Sequence, residues 1–259
     1  MKNKSSDVGS ASASHSPANG ISGQNTGAYQ DVRDGIASIA VDFSSESDTL
    51  VIAFGGMAMA REMPIFEFFG TASKIDTNKI FVRDLHRTWY HRGLPGIAGN
   101  IDGIAAYLDS LIKSKSFRQV TCVGSSTGGY AAILFGLLLN VNTVLAFVPK
   151  TFLSPWKRLL CFDVKTWPQM WTLIRTRTAQ KHYFDLQQVL RSRSTNTEFH
   201  VHYGGDGRVD VIHAERLRGI PQVHLHLHPE GGHSLVKKLR DTGELKTILT
   251  ETLEVAPGK

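Results

Sequence analysis

Short apolar, β-rich runs alternate with helix-compatible segments along most of this chain, and that rhythm limits the folds open to it. The candidate strands are 36–43, 50–54, 79–83, 119–123, 143–148, 198–203 and 222–228; helical patterns occupy 97–114, 128–139, 179–191 and 211–218. The run Leu50-Val51-Ile52-Ala53-Phe54 carries no polar residue. Such a strand has both faces covered, as in a parallel sheet flanked by helices. Strictly alternating strands and helices predict an α/β, doubly wound, mostly parallel sheet of about seven strands. With 259 residues, 41% of them hydrophobic, the chain can build one substantial core. A final helix over 235–253 is expected to close one face.

Residues 1–34 do not share this rhythm. They are rich in Ser, Ala, Gly and Asn and contain no apolar segment of the kind that opens a secretory signal. This composition buries too little surface to offset the entropy of ordering, so a disordered leader is expected before a domain at 35–259. No run approaches the roughly 18 apolar residues of a membrane span, so no span is expected and a cytoplasmic location is the expectation. The two cysteines, Cys122 and Cys161, cannot build a disulfide framework or a four-ligand zinc site. The net charge of +6 suits acidic ligands without indicating nucleic acid.

The chemistry concentrates at Gly124-Ser125-Ser126-Thr127-Gly128, a G-x-S-x-G pattern between an apolar strand and an Ala/Leu-rich helix. A serine hydroxyl serves as a nucleophile only where a base and a carbonyl can both approach it. A sharp strand-to-helix turn exposes it so, at the cost of a strained backbone. Glycines on either side remove the Cβ atoms that would collide where strand and helix cross. A Gly/Ser-rich loop cradling a phosphate is the competing reading. Within the motif Ser126 is preferred to Ser125, which lacks the symmetric glycines.

A triad in this order needs an acid and then a histidine downstream. Asp206, in the glycine-bounded loop after strand 198–203, is the expected acid; Asp210 is the alternative and also reads as a cap of the following helix. His233 lies in the loop Pro229-Glu230-Gly231-Gly232-His233 after the last strand and is the expected proton carrier. The oxyanion hole is expected to combine the amide of Thr127 with that of Gly56, or Met57 beside it, from the Phe54-Gly55-Gly56-Met57 loop.

On these residues the chain from about residue 36 onward resembles the α/β-hydrolase superfamily. The resemblance implies seven or eight mostly parallel strands, a Ser-Asp-His triad and oxyanion donors on the loops above the sheet. Two departures remove the cues that would separate lipases, peptidases and carboxylesterases, without changing the implied mechanism: the oxyanion loop reads Phe-Gly-Gly rather than opening with His-Gly, and Ser125 stands where His, Glu or Asp is frequent.

Three further features bear on function. Trp89, Tyr90 and His91 follow strand 79–83 and are candidates to line a substrate pocket, whereas Arg83 and Asp84 are expected to pair with each other. His200 and His202 alternate on one strand and His224, His226 and His228 on the next; a half-exposed edge face explains them more simply than a metal site, and neither a metal nor a cofactor is called for. The segment 151–196 interrupts the rhythm with Trp156, Trp167 and Trp171. From Lys150 to Arg193 it carries nine bases against two acids, an excess of +7. It is read as a basic helical insertion at the place where the family puts a lid. The lid reading has it recognising an anionic or sugar-bearing acyl substrate; the plainer one is a solvated basic face anchored by tryptophan. The expected activity is therefore cleavage of an ester or thioester through an acyl-enzyme on Ser126. Acyl transfer to a sugar or alcohol and non-catalytic binding are the alternatives, and the oligomeric state stays open.

Overall fold

The computed structural model describes residues 31–254 apart from 33, 35 and 58–67. The leader expected over 1–34 therefore falls almost wholly outside the described residues. Seven strands form one sheet: β1 (Ile39–Asp42), β2 (Thr49–Phe54), β3 (Asn78–Val82), β4 (Gln119–Ser125), β5 (Thr143–Phe147), β6 (Glu198–Gly204) and β7 (Val223–His228). Their spatial order is β1-β3-β2-β4-β5-β6-β7, parallel throughout except where β1 runs antiparallel to β3. The chain steps from β2 to β3 on one side and returns to place β4 on the other. The order reverses between β2 and β4, and the crevice above their carboxyl ends is where doubly wound sheets bind ligands.

The helices are α1 (Phe69–Ala72), α2 (Ile101–Lys113), α3 (Thr127–Leu139), α4 (Pro155–Leu160), α5 (Trp167–Arg175), α6 (Leu186–Arg191), α7 (Arg208–Glu215), α8 (Leu235–Asp241) and α9 (Glu244–Glu254). Every residue of β2 is buried, as its unbroken apolar run requires, and every residue of β4 is buried beside it. Helix α3 is buried from Thr127 to Leu137, which suits a helix that is apolar all round. Phe54 of β2 stacks on Phe135 of α3 with ring centroids 5.2 Å apart.

Two expectations need correction. The single final helix is two, because Gly243 takes φ +84° and ends α8. The stretch 179–191 is a 3-10 turn (Lys181–Tyr183) and then the shorter α6. Between β5 and β6 the expected insertion is helical, containing α4, α5 and α6. Its charges are not all solvated: Lys150 and Arg158 are buried, and Trp156 and Trp171 are 76% and 50% exposed, so these tryptophans do not anchor it.

Candidate active site

Ser126 sits between the end of β4 and the start of α3 with φ +55° and ψ −111°, a conformation that costs a non-glycine residue about 1–3 kcal/mol. The neighbouring glycines make the turn possible. A Cβ on Gly124 would lie 2.1 Å from the carbonyl oxygen of Gly128, and one on Gly128 would lie 2.2 Å from that of Phe54. Strand, helix and the loop after β2 thus approach backbone to backbone at the serine. Val148 beside it, also at positive φ (+41°), donates its N–H to the His202 carbonyl at 2.7 Å.

Of the residues expected to donate to an oxyanion, Thr127 opens α3 directly after Ser126, and Gly56 and Met57 follow β2. As the first residue of α3, Thr127 has no carbonyl within the helix to receive its N–H. Among the described residues, the amides of Gly56 and Met57 donate to no protein acceptor. Their loop continues β2, which pairs with β4 in the register Phe54↔Gly124.

His233 follows β7 in a 3-10 turn (Gly232–Ser234), and its Nδ1 lies 3.2 Å from Asp210 Oδ1. The ring therefore meets Asp210, the alternative acid, and not Asp206, the first choice. Asp206 is exposed and accepts hydrogen bonds from the amides of Gly231 (3.2 Å) and Gly232 (2.7 Å), so it shapes the histidine loop from below and does not meet the ring. The reason is where the chain turns: α7 starts at Arg208, which swings Asp210 inward on the first turn of the helix, where it is 4% exposed. Asp210 and His213, three residues apart with Ala214 beside them, form the buried stripe of α7.

A second group, not anticipated, supports Asp210 from behind. The Lys150 ammonium lies 3.3 Å from Asp210 Oδ1 and 3.7 Å from Asp163 Oδ1. Asp163 also accepts from Arg158 (2.9 Å) and meets His213 Nε2 at 3.1 Å. Burial pushes the Asp210 carboxyl up, but the His233 hydrogen bond and the Lys150 charge outweigh it and hold the group below the usual carboxylate range. Asp163 is likewise held well below its usual value, by His213, Lys150 and Arg158 working against burial. Burial lowers His213 to about 4, so it stays neutral at physiological pH.

Lys150 also ties this group to the serine, because its N–H donates to the Ser126 carbonyl at 3.2 Å while its side chain reaches Asp210. The contacts run Ser126, Lys150, Asp210, His233 across the carboxyl ends of β4, β5, β6 and β7. Among the described residues, neither the Ser126 hydroxyl nor His233 Nε2 makes a hydrogen bond.

The expected pocket residues lie elsewhere. Trp89, Tyr90 and His91 are fully buried, which removes them from any open pocket lining. The Tyr90 hydroxyl donates to the carbonyls of Gly55 (3.0 Å) and Val82 (3.1 Å), bracing the oxyanion loop, and His91 Nε2 meets the Tyr130 hydroxyl at 3.1 Å. Asp84 accepts from the amides of His86, Thr88 and Tyr90, and Arg83 donates to the Val32 carbonyl; among the described residues the two expected partners do not bond each other. On β6 and β7 the histidines stack, with His200 Nδ1 3.0 Å from His226 Nε2 and His202 Nδ1 3.1 Å from His228 Nε2. Among the described residues, no group of three or more His, Cys, Asp or Glu side chains is arranged to hold a metal.

No family model matches the sequence, and no curated protein matches it. Solved structures do match. The capsule O-acetyltransferase of Neisseria meningitidis serogroup A is 16% identical, with a TM-score of 0.62 over 82% of this chain and 90% of that one. MenH from S. aureus is 14% identical, with a TM-score of 0.55 over 84% and 98%. MGS-MChE2, an α/β hydrolase enzyme from a lagoon-sediment metagenome, is 13% identical with a TM-score of 0.53 over 82% and 94%. Identity this low speaks to architecture alone, and with the sheet order and the strained turn described above it leads to one statement: this chain has the α/β-hydrolase fold.

Proposed function

We propose that the chain is a serine-dependent acyl enzyme that cleaves an ester or thioester through an acyl-enzyme on Ser126. The observation that carries this reading is the left-handed backbone at Ser126, compressed between two glycines whose side chains would collide, in contact through Lys150 with a histidine–aspartate pair. Strain of this kind persists only where the surroundings over-determine it, and it recurs at reactive centres.

In the proposed reaction the Ser126 Oγ attacks the acyl carbonyl and its proton passes to His233 Nε2. Asp210 holds Nδ1–H and favours the imidazolium that forms. The negative charge on the carbonyl oxygen is met by the amides of Thr127 and of Gly56 or Met57, fixed before the substrate arrives. Collapse expels the alcohol or thiol, which takes the proton from Nε2. A water then gives its proton to Nε2 and attacks the acyl carbon, releasing the acid and restoring Ser126. The substrate is a small acyl compound. The test is labelling by a fluorophosphonate probe together with p-nitrophenyl acetate turnover. Both are expected in the wild type and absent in Ser126→Ala; absence of both in well-folded wild type refutes the reading in favour of a binding protein.

A second reading is acyl transfer, in which a sugar or alcohol hydroxyl takes the place of the water that attacks the acyl-enzyme. The fold match to an O-acetyltransferase favours keeping it. Adding a polyol acceptor to the same assay separates the two: transfer diverts acyl groups into an ester product, and hydrolysis does not.

A further inference from the structure

Helix α4 is inside out. It buries its arginine, Arg158, at 1% exposure, and turns Trp156, Leu159 and Leu160 to solvent at 76%, 45% and 78%. Spacings of three and four residues put these three side chains on one stripe. The turn that follows adds Phe162 at 72% and Val164 at 45%. A helix stabilised only by its own core would rotate to bury the leucines and solvate the arginine. Here the rotation is fixed by polar contacts underneath: Arg158 bonds Asp163 at 2.9 Å and the Thr166 hydroxyl at 2.6 Å, and its guanidinium lies 5.2 Å over the Trp89 ring. The apolar stripe is therefore presented by construction.

The charges around it have one sign. Lys165 and Arg175 are exposed beside α4 and on α5, and exposed Arg208 lies 5.9 Å over the Phe162 ring. The insertion's two acids are both turned inward: Asp163 is 5% exposed, and Asp185, at 8%, is paired with Lys157 and Arg216. A bulky aromatic and aliphatic stripe with a cationic rim matches an anionic lipid surface, whose headgroups attract the rim while the interface takes the rings. A second copy of the same face would oppose like charges.

We propose that α4 and the 161–164 turn dock this protein on anionic membranes, with Trp156, Leu160 and Phe162 inserted among the headgroups. Phe162 touches Arg208, two residues before Asp210, so docking brings the acid loop of the candidate site close to the lipid surface. The docking itself does not depend on the proposed chemistry.

The test is flotation of the full chain with vesicles of phosphatidylcholine alone and of equal parts phosphatidylcholine and phosphatidylglycerol. Wild type is expected to float with the mixed vesicles only, with release at high salt and a blue shift of tryptophan emission. The triple variant Trp156→Ser, Leu160→Ser, Phe162→Ser is expected to lose at least about tenfold in partitioning. Lys165→Glu with Arg175→Glu is expected to lose more than about tenfold on mixed vesicles. The triple variant keeps p-nitrophenyl acetate turnover if the acyl chemistry is correct, and Ser126→Ala floats as wild type does, so the two readings fail separately. Flotation with neither vesicle, equal flotation with both, or undiminished flotation of the triple variant overturns the proposal. So does light scattering that shows a wild-type dimer made monomeric by the triple variant, which would assign the stripe to a second copy.

Discussion

Two acids compete for the histidine, and replacing each separates them. In Asp210→Asn the amide still fills the space beside His233 Nδ1, 3.2 Å away, but the charge that favours a protonated ring is gone. Nothing then selects the tautomer that leaves Nε2 free to accept the serine proton. Equivalent changes in serine triads lower kcat by about 10^4-fold, and a loss of 10^3- to 10^4-fold is expected here with little change in KM. The variant also leaves Lys150, 8% exposed, with only the more distant carboxylate of Asp163 at 3.7 Å. Breaking a buried pair costs about 3–5 kcal/mol; the remaining partner should hold the loss near the lower bound, which lowers Tm by several degrees in a domain of this size. Asp206→Asn removes charge from an exposed carboxylate whose amide replacement can still accept from Gly232, and the expected loss in kcat is less than about tenfold. The assay is p-nitrophenyl acetate turnover corrected for the folded fraction by circular dichroism. If Asp206→Asn abolishes turnover while Asp210→Asn leaves it within tenfold, the assignment of Asp210 is refuted.

Ser126→Gly should relieve the positive-φ strain and raise stability by about 1 kcal/mol in urea melts while abolishing probe labelling; a destabilised variant would argue that no strain is stored there. Tyr90→Phe deletes the hydroxyl that bonds Gly55 and Val82 and should cost about 1–3 kcal/mol in the same melts, with kcat falling as the oxyanion loop loosens. Burial lowers His91 to about 3, His202 to about 2 and His213 to about 4, so these folded-state values lie below the unfolded one near 6.5. The unfolded chain then binds more protons as pH falls through 6.5 toward 4, and each ring subtracts up to about 1.4 kcal/mol per pH unit. Urea midpoints should drop steeply over that window, and a flat profile would contradict the burial of these rings.

How much could be read in advance depended on the length scale of the feature. The parallel sheet was legible because β2 is buried on both faces and so carries the unbroken apolar run from Leu50 to Phe54. The serine turn was legible because two glycines at fixed spacing answer a steric demand that any sequence must meet in the same way. The Trp89–His91 segment misled, since a loop rich in aromatic and polar side chains reads equally as pocket lining or as a fully buried brace. The lysine and arginine of the insertion misled too: counted along the chain they are a solvated basic face, yet Lys150 and Arg158 are interior partners of Asp163.

Local chemistry by itself thus determined the alternation of strands and helices and the glycine-flanked turn at Ser126, because each depends on contacts within a few residues. Tertiary structure alone decided which aspartate meets His233, where Lys150 sends its charge and which side of α4 faces water. Those outcomes turn on residues separated by 23 positions in the His233–Asp210 contact and 60 in the Lys150–Asp210 contact. A helix that starts at Arg208 rotates Asp210 inward, and no pattern within that loop encodes what will be waiting on the other side.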